Sequence, residues 1–309
     1  MSAHAPASLA PAALDRTRRR VSGLAILTGL ACVVILAMFA VVMVEVVAGG
    51  AGSLSLELLT SSPRRGMTEG GIFPAIFGTA ALTLLMTVIG VPAGVITAIY
   101  LHEYAPKHSA FARMVRICIA NLAGVPSIVF GLFGLGFFVM TVGRGVDGAL
   151  FDGEPTYGKP CLLWAATTLA ILTLPVVVVS TEEALRAVPR ELRDASLALG
   201  ATRLSTITRV VLPQASGGIL TGAILAVSRG AGEVAPLLFT GAAYYLAVLP
   251  TNLNDPFMNL GYHVLVLATQ SPDVDKTRPI LYATVVVLLG LTFALNVIAV
   301  AIRARRANA

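Results

Sequence analysis

The sequence SRGAGE, residues 228–233, places an arginine and a glutamate four residues apart within an apolar stretch. At this spacing Arg229 and Glu233 share one face of a helix and can pair. An arginine at the centre of a membrane helix costs about 2.5 to 3.5 kcal/mol, so such charges normally face a bundle interior or an aqueous path. A guanidinium also presents planar, paired donors that suit the oxygens of a tetrahedral anion. The pair is therefore a candidate anion site. The alternative is a salt bridge that only fixes helix packing.

The composition requires a membrane around these charges. Of the 309 residues, 56% are apolar and 12% are charged, against about 25% charged in a typical soluble domain. The mean hydropathy is +0.84. These values exclude a soluble enzyme. They also argue against nucleic-acid binding, although the net charge is +6, because that function needs a basic face on a folded soluble domain.

Six apolar stretches are long enough to cross about 30 Å of hydrocarbon as helices, which predicts an all-α polytopic protein with one membrane domain over residues 21–309. The predicted spans are residues 21–48, 72–101, 113–142, 161–181, 216–243 and 280–302. Residues 1–20 have no apolar period and are predicted to form a disordered basic tail. The first span is about twice as long as the apolar part of a signal peptide, so we expect no cleavage.

Basic residues divide unevenly between the two sides of this arrangement. Fifteen of the 22 Lys and Arg residues fall on the side of both termini and of residues 182–215, six fall on the other side, and Arg229 lies within a span. The positive-inside rule therefore predicts that both termini and residues 182–215 are cytoplasmic. A shift of one helix would destroy this partition.

The sequence contains no pattern that predicts a metal site or a nucleotide site. The three cysteines and four histidines are scattered, without metal-ligand spacing. Residues 153–159 match most of a phosphate-binding loop, but Pro160 replaces the hydroxyl residue that would hold magnesium, and the loop lies on the non-cytoplasmic side. We expect no cofactor on this chain.

The long polar segment at residues 182–215 is predicted to form two short helices. Its apolar residues recur at helical spacing, Pro189 can open a helical turn, and Gly200 can break the helix by adopting a positive φ. An amphipathic segment that rests on the lipid headgroups is the alternative.

This segment resembles the cytoplasmic loop of bacterial ABC importer permeases, which reads E-A-A, three residues, G, nine residues, I-x-L-P. The matching positions, with their spacing intact, are Asp194, Ala195, Ser196, Gly200, Val210, Leu212 and Pro213. Asp, Ser and Val replace the usual Glu, Ala and Ile. The resemblance implies a coupling helix that docks in a groove of an ATPase subunit. Small residues permit close approach there, and Arg193 and Arg203 can pair with acidic groups of that partner.

Two further strings look like those of phosphate-importer permeases of the PstA type, namely GGIFPAIFGT at residues 70–79 and NLAGVPSIVFGLFG at residues 121–134. The resemblance implies a type I, MetI-like permease in a bacterial inner membrane. It also implies a second related permease subunit, a pair of ATPase subunits that carry ATP and magnesium, and a periplasmic phosphate-binding protein.

Three polar residues, Ser228, Asn121 and Ser127, are further candidates for lining the substrate path, and Pro126 is expected to weaken or bend the third span. Two other functions remain open: import of another oxyanion such as sulfate or molybdate, and secondary transport or channel activity without ATP. The sequence shows no paired broken helices with inverted repetition, which disfavours secondary transport. It also shows no catalytic constellation for an intramembrane enzyme.

Overall fold

The computed structural model describes residues 11–106, 108–271 and 273–307, most of which are helical. The helices are α1 (Pro11–Ala51), α2 (Leu56–Thr60), α3 (Phe73–Ile99), α4 (Ala110–Leu122), α5 (Ser127–Phe133), α6 (Arg144–Leu150), α7 (Leu162–Ala187), α8 (Arg190–Ala198), α9 (Arg203–Thr206), α10 (Leu212–Ala231), α11 (Leu237–Thr240), α12 (Leu260–Thr269) and α13 (Val274–Ala307). Wider π-helical turns at Tyr100–Tyr104, Gly134–Gly143 and Ile207–Val211 extend or join some of them. A two-stranded antiparallel sheet pairs β1 (Pro63–Arg64) with β2 (Glu69–Gly70).

Six helical segments in the described part of the chain are long and apolar enough to cross a membrane, which confirms the predicted number and the all-α fold. We number them as spans one to six: Ala25–Ala51, Phe73–Tyr104, Ser127–Leu150, Leu162–Ala187, Arg203–Ala231 and Val274–Ala304.

The first helix begins earlier than the sequence suggests. It starts at Pro11, so residues 11–20, which the sequence assigns to the tail, are helical. Alanine and arginine are frequent in this stretch, and both have high helix propensity even where no apolar period is present. Residues 1–10 of the predicted tail lie outside the described residues.

The fourth span is the centre of the bundle. In its most apolar window 67% of the residues are buried, against 6% in the first span, and the second and fifth spans pack directly on it. Its first N–H groups have no partner within the helix. The backbone N–H groups of Cys161, Leu162 and Leu163 instead donate to the carbonyls of Thr240, Asp255 and Leu253 at 2.9 to 3.0 Å. The last residue of α11 and the loop at residues 241–259 thus cap the central helix.

We call this end of the bundle the far end and the opposite end, which carries α8, the α8 end. At the far end the backbone N–H groups of Asn252 and Thr251 donate to the Asp255 carboxylate. These bonds hold the pKa of Asp255 below its ordinary value. The same bonds stabilise the turn that caps the fourth span.

Small residues bring the fifth span close to the fourth. A Cβ at Gly218 would meet Ala184, one at Gly222 would overlap Ser180, and one at Gly230 would lie 3.6 Å from Thr173. Glycines allow helix backbones in a membrane to approach in this way. The three contacts also show that the two helices run antiparallel, and that Gly230 lies near the middle of the fourth span.

The terminal helices form a peripheral pair. A Cβ on Gly50 would lie 2.7 Å from the backbone nitrogen of Ala283, and the hydroxyl of Tyr282 donates to the Glu45 carboxylate at 3.1 Å. The end of α1 therefore meets the beginning of α13 at the far end. Both helices run from there to the α8 end.

Two predicted continuous spans are broken in the structure. The predicted span 113–142 consists of α4, a non-helical break at residues 123–126, and then α5. The predicted span 216–243 ends as a regular helix at Ala231, and the chain resumes with α11 after a break at residues 232–236. Each break contains glycine, and Pro126 or Pro236 immediately precedes the next helix. Proline lacks the N–H group that would continue the preceding helix. The expected weakening at Pro126 is therefore a complete break, and the prediction of a continuous helix over residues 216–243 was wrong.

The two breaks lie at similar depth, and the second break packs against α5, which follows the first. The first borders a cavity of about 230 Å³ whose lining includes Leu122, Val125 and Ile171, and Ile171 is near the middle of the fourth span. The second begins just after Gly230, beside Thr173. A Cβ on Gly131 would lie 2.9 Å from the Cα of Pro236. The structure therefore contains two breaks next to membrane spans, while the absence of inverted repetition between such segments stays a prediction from the sequence.

Close packing at Gly222 gives a stability prediction. Gly222→Ala should lower the free energy of unfolding by about 1 to 3 kcal/mol, because the added methyl group overlaps Ser180 and overpacking carries a cost of this order. Gly290→Ala is the matched control, since a Cβ there meets nothing within 4 Å. Thermal unfolding of the detergent-purified protein measures both. Equal melting temperatures for the two variants would contradict this packing.

Candidate functional site

Arg229 and Glu233 form an ion pair that spans the end of a helix. Arg229 lies in the last turn of α10, and Glu233 lies in the break that follows. The Nε of Arg229 donates to Oε1 of Glu233 at 3.3 Å. Charge-assisted bonds are usually about 2.7 to 2.9 Å long, so this is a loose contact. Because both residues belong to one continuous stretch, the pair does not join two separate helices.

The pair lies at mid-membrane depth on an incompletely covered face. Its neighbour Gly230 packs on Met86 of the second span and near Thr173 of the fourth, and both of those residues are central in their helices. The Arg229 side chain is 47% exposed and that of Glu233 is 19% exposed. A half-exposed guanidinium at this depth is costly against lipid. This face must therefore border protein or water.

Ser228 is linked to a residue that the sequence did not single out. Its hydroxyl donates to the Ile224 carbonyl at 2.8 Å and also contacts Oδ1 of Asn296 in the sixth span. An amide within an apolar helix is typical of a polar contact between membrane helices. That pattern alone could have identified Asn296 as a candidate.

Asn121 and Ser127 lie on either side of the first break. Asn121 is exposed in the last turn of α4, and Ser127 is the first residue of α5. Pro126 occupies the cap position between them. The structure thus places these two candidates beside one break and Arg229 and Glu233 beside the other.

At the α8 end, residues 199–202 form the elbow that the sequence predicts. Gly200 has a φ of +83°, and its N–H donates to Leu197 while the N–H of Ala201 donates to Ser196. This pair of bonds is the Schellman arrangement that ends a helix at glycine. Thr202 then caps α9 by accepting the N–H of Ser205. The elbow therefore has a defined shape.

The predicted coupling residues fall into two groups. Pro189 precedes α8 as expected, and Asp194 and Ala195 are exposed on that helix, while the Ser196 hydroxyl bonds that of Thr206 at 2.9 Å. The second predicted short helix, α9, is instead the beginning of the fifth span. The remaining motif positions lie further along this span. These are Val210, Leu212 and Pro213.

Arg193 is turned into the chain rather than outward. Its guanidinium donates to the carbonyls of Leu185 and Val188 at 2.7 and 2.6 Å and to the Glu103 carboxylate at 3.0 Å. Arg203 lies with its guanidinium carbon 5.1 Å from the ring centroid of Tyr104, a cation–π arrangement. The geometry therefore directs Arg193 to oxygens inside the chain, not to an acidic group of a partner.

Glu103 is the residue of this region that sequence reasoning missed. It lies 90 positions before Arg193 in the chain, in the π-helical turn that ends the second span. A glutamate at the end of an apolar stretch has no distinctive pattern, so only the folded contact reveals it.

The loop that resembles a phosphate-binding loop is held by an internal carboxylate. The N–H groups of Tyr157 and Gly158 donate to the buried Asp147 carboxylate at 2.7 and 2.6 Å. These two N–H groups are therefore not available to a bound phosphate.

Comparison with known proteins agrees with this architecture. The family described as binding-protein-dependent transport system inner membrane component matches residues 90–308. The phosphate transport system permease protein PstA of Haemophilus influenzae is 37% identical over 212 residues, which cover 68% of each chain. The PstA protein of Yersinia pestis is 34% identical over 267 residues, covering 86% of this chain and 83% of that one.

The fold is shared with solved transporters at low identity. A bacterial alginate ABC transporter, solved with an alginate-bound periplasmic protein, aligns with a TM-score of 0.66 at 15% identity, covering 92% of this chain and 94% of that chain. The methionine transporter MetNI aligns with a TM-score of 0.54 at 20% identity, covering 74% and 94% of the two chains. By its sequence match over most of its length, this chain belongs to the family of binding-protein-dependent transport system inner membrane components.

Proposed function

We propose that this protein is a permease subunit of an ATP-driven importer of inorganic phosphate and forms half of the translocation path. The PstA relatives support phosphate as the substrate. The observation that carries the proposal is the half-exposed Arg229 at mid-membrane depth. A charge in that position requires a polar environment that this chain alone does not complete.

The covering environment is a second, related permease subunit together with the aqueous path between the two. Irregular backbone at membrane depth is tolerated only where it is buried in protein or lines water. Both breaks meet that condition at such an interface. Asn121 and Ser127 border the path at one break, and Arg229 and Glu233 border it at the other, with Ser228 and Asn296 close to the second.

In the proposed mechanism, Arg229 binds phosphate through its planar donors and Glu233 holds the guanidinium while the path is empty. Their single 3.3 Å contact is weak enough for an anion to displace. A ligand shifts the balance between the inward-open and outward-open states only if it binds the two states with different affinity. In this proposal ATP on a partner subunit supplies the energy of the transport cycle, and contacts within the membrane segment do not.

The α8 end supplies the connection to that energy source. We propose that α8 and the elbow dock on an ATPase subunit, which binds ATP and magnesium. In α8 no residue is buried, and Leu199 in the elbow is 89% exposed, as expected for a surface that a partner covers. The excess of basic residues at this end supports a cytoplasmic location for this end and for both termini. A periplasmic phosphate-binding protein then delivers substrate at the far end.

Reconstitution of the co-purified complex tests this function directly. Proteoliposomes that contain the permease subunits and the ATPase, supplied with the binding protein, should accumulate labelled phosphate only when ATP is present. Excess sulfate or molybdate should not compete. Competition by either anion would reassign the substrate, and uptake by this chain without ATP would refute the proposal.

Arg229→Ala should abolish phosphate uptake while the ATPase still assembles, because the variant removes the anion-binding guanidinium without changing the α8 end. Arg229→Lys keeps the charge but loses the planar fork and should retain part of the activity. Arg64→Ala, at an exposed residue of β1, is the matched control. Normal uptake by well-expressed Arg229→Ala would remove this residue from the path.

Gly200→Val should uncouple transport or prevent ATPase docking, because a β-branched residue is strained at a φ of +83°. Gly200→Asn should be tolerated better, since asparagine visits this conformation more readily. A Cβ at Gly200 meets nothing within 4 Å, so the comparison isolates backbone shape from steric clash. Co-purification of the ATPase and measurement of uptake serve as readouts. Equal behaviour of Val and Asn would count against the elbow.

Orientation has its own test. In a variant whose native cysteines are replaced and which is expressed without the ATPase subunit, Leu199→Cys should react with an impermeant thiol reagent only after the membrane is opened, whereas Glu154→Cys should react in intact cells. Both positions are exposed. Reversal of this pattern would invert the proposed orientation.

A further inference from the structure

We infer that the Glu103–Arg193 ion pair is the link through which movement of α8 reaches the second span, and that Glu103 is therefore a positioning residue for coupling. This inference rests on the proposed function. It follows from how α8 is attached, from what Arg193 joins, and from where the second span leads.

The attachment of α8 depends on few groups. None of the residues described in α8 is buried. Among the described residues, its side-chain hydrogen bonds to other elements come from Arg193 and Ser196. Two cavities, of about 410 and 340 Å³, adjoin the helix, and Glu103 and Arg193 line both. The ion pair thus lies between two cavities. Apolar side chains do not fill these cavities, so the pair replaces the packing that would otherwise hold α8.

Arg193 joins three elements at one guanidinium. The Leu185 and Val188 carbonyls lie at the end of the fourth span, Glu103 lies at the end of the second span, and Arg193 itself belongs to α8. The side chains of Arg193 and Glu103 are only 16% and 10% exposed. The neighbouring Arg116–Glu182 pair, at 3.2 Å, is more open, with Arg116 48% exposed, and it does not include α8. Ion pairs shielded from water are less screened than surface pairs.

The second span continues from Glu103 to the candidate anion site. Its helix runs through Met86, which packs against Gly230, the residue next to Arg229. A displacement of α8 therefore reaches the neighbourhood of Arg229 through one ion pair and one helical span, which contains a π-helical turn at Tyr100–Tyr104 and Pro92. The hydroxyl contact from Ser196 to Thr206 leads instead to the start of the fifth span.

The test measures phosphate taken up per ATP hydrolysed in the complete reconstituted complex. Glu103→Ala should lower this ratio about tenfold, within the usual range of coupling between sites, while the ATPase subunits stay bound. Glu103→Gln keeps an oxygen acceptor for Arg193 and should lose less. Glu183→Ala, at an exposed glutamate of the same end, is the matched control and should leave the ratio unchanged.

Hydrogen exchange in the same complexes supplies a readout independent of transport. The backbone amides of α8 should exchange faster in Glu103→Ala than in the wild type. An unchanged uptake-to-ATP ratio in Glu103→Ala overturns the inference. Loss of the ATPase subunits does so too, because the role is then only structural. A wild-type complex that fails to import phosphate refutes the proposed function instead, and the exchange rates still decide whether Glu103 holds α8.

Discussion

Hydrocarbon offers no hydrogen bonds to a peptide group, and the arrangement of this chain follows from that constraint. Continuous helices satisfy it along the first, second, fourth and sixth spans. The third span begins directly after a break at residues 123–126, the fifth ends directly before a break at residues 232–236, and the two breaks violate this constraint at similar depth. Such a violation is stable only where protein or water covers the freed backbone groups. The interrupted helices and the Arg229 guanidinium therefore impose the same requirement for a covered, polar face in the middle of the membrane.

The fourth span stabilises the bundle around the two breaks. Its burial and its glycine-mediated contact with the fifth span fix the depth at which α10 ends. The loop at residues 241–259 caps its N-terminus and returns the chain to the far end. A rigid central helix with an interrupted neighbour is suited to a protein that must move at one place while it holds its shape elsewhere.

Sequence reasoning succeeded where a single local property decides the outcome. Hydropathy is sufficient to count six spans, and the need for a positive φ at Gly200 identifies the elbow. It expected only a weakening or bend at Pro126 and missed the break at Gly232 to Pro236, because a hydropathy window averages across a break that glycine and proline create within it. The Glu103–Arg193 contact could not be predicted, since nothing local relates two residues 90 positions apart. For the same reason Arg193 was expected to face a partner.

The exposure of Leu199 and Arg229 has a cost for a copy of this chain that has no partners. Such an orphan subunit presents a leucine to water at the elbow and a guanidinium to lipid in mid-membrane, and both features raise its free energy relative to the assembled state. Chaperones and proteases continuously remove chains in less stable states. If the proposed complex forms, the supply of the subunits that cover this chain limits its cellular amount, and its stoichiometry is enforced after synthesis.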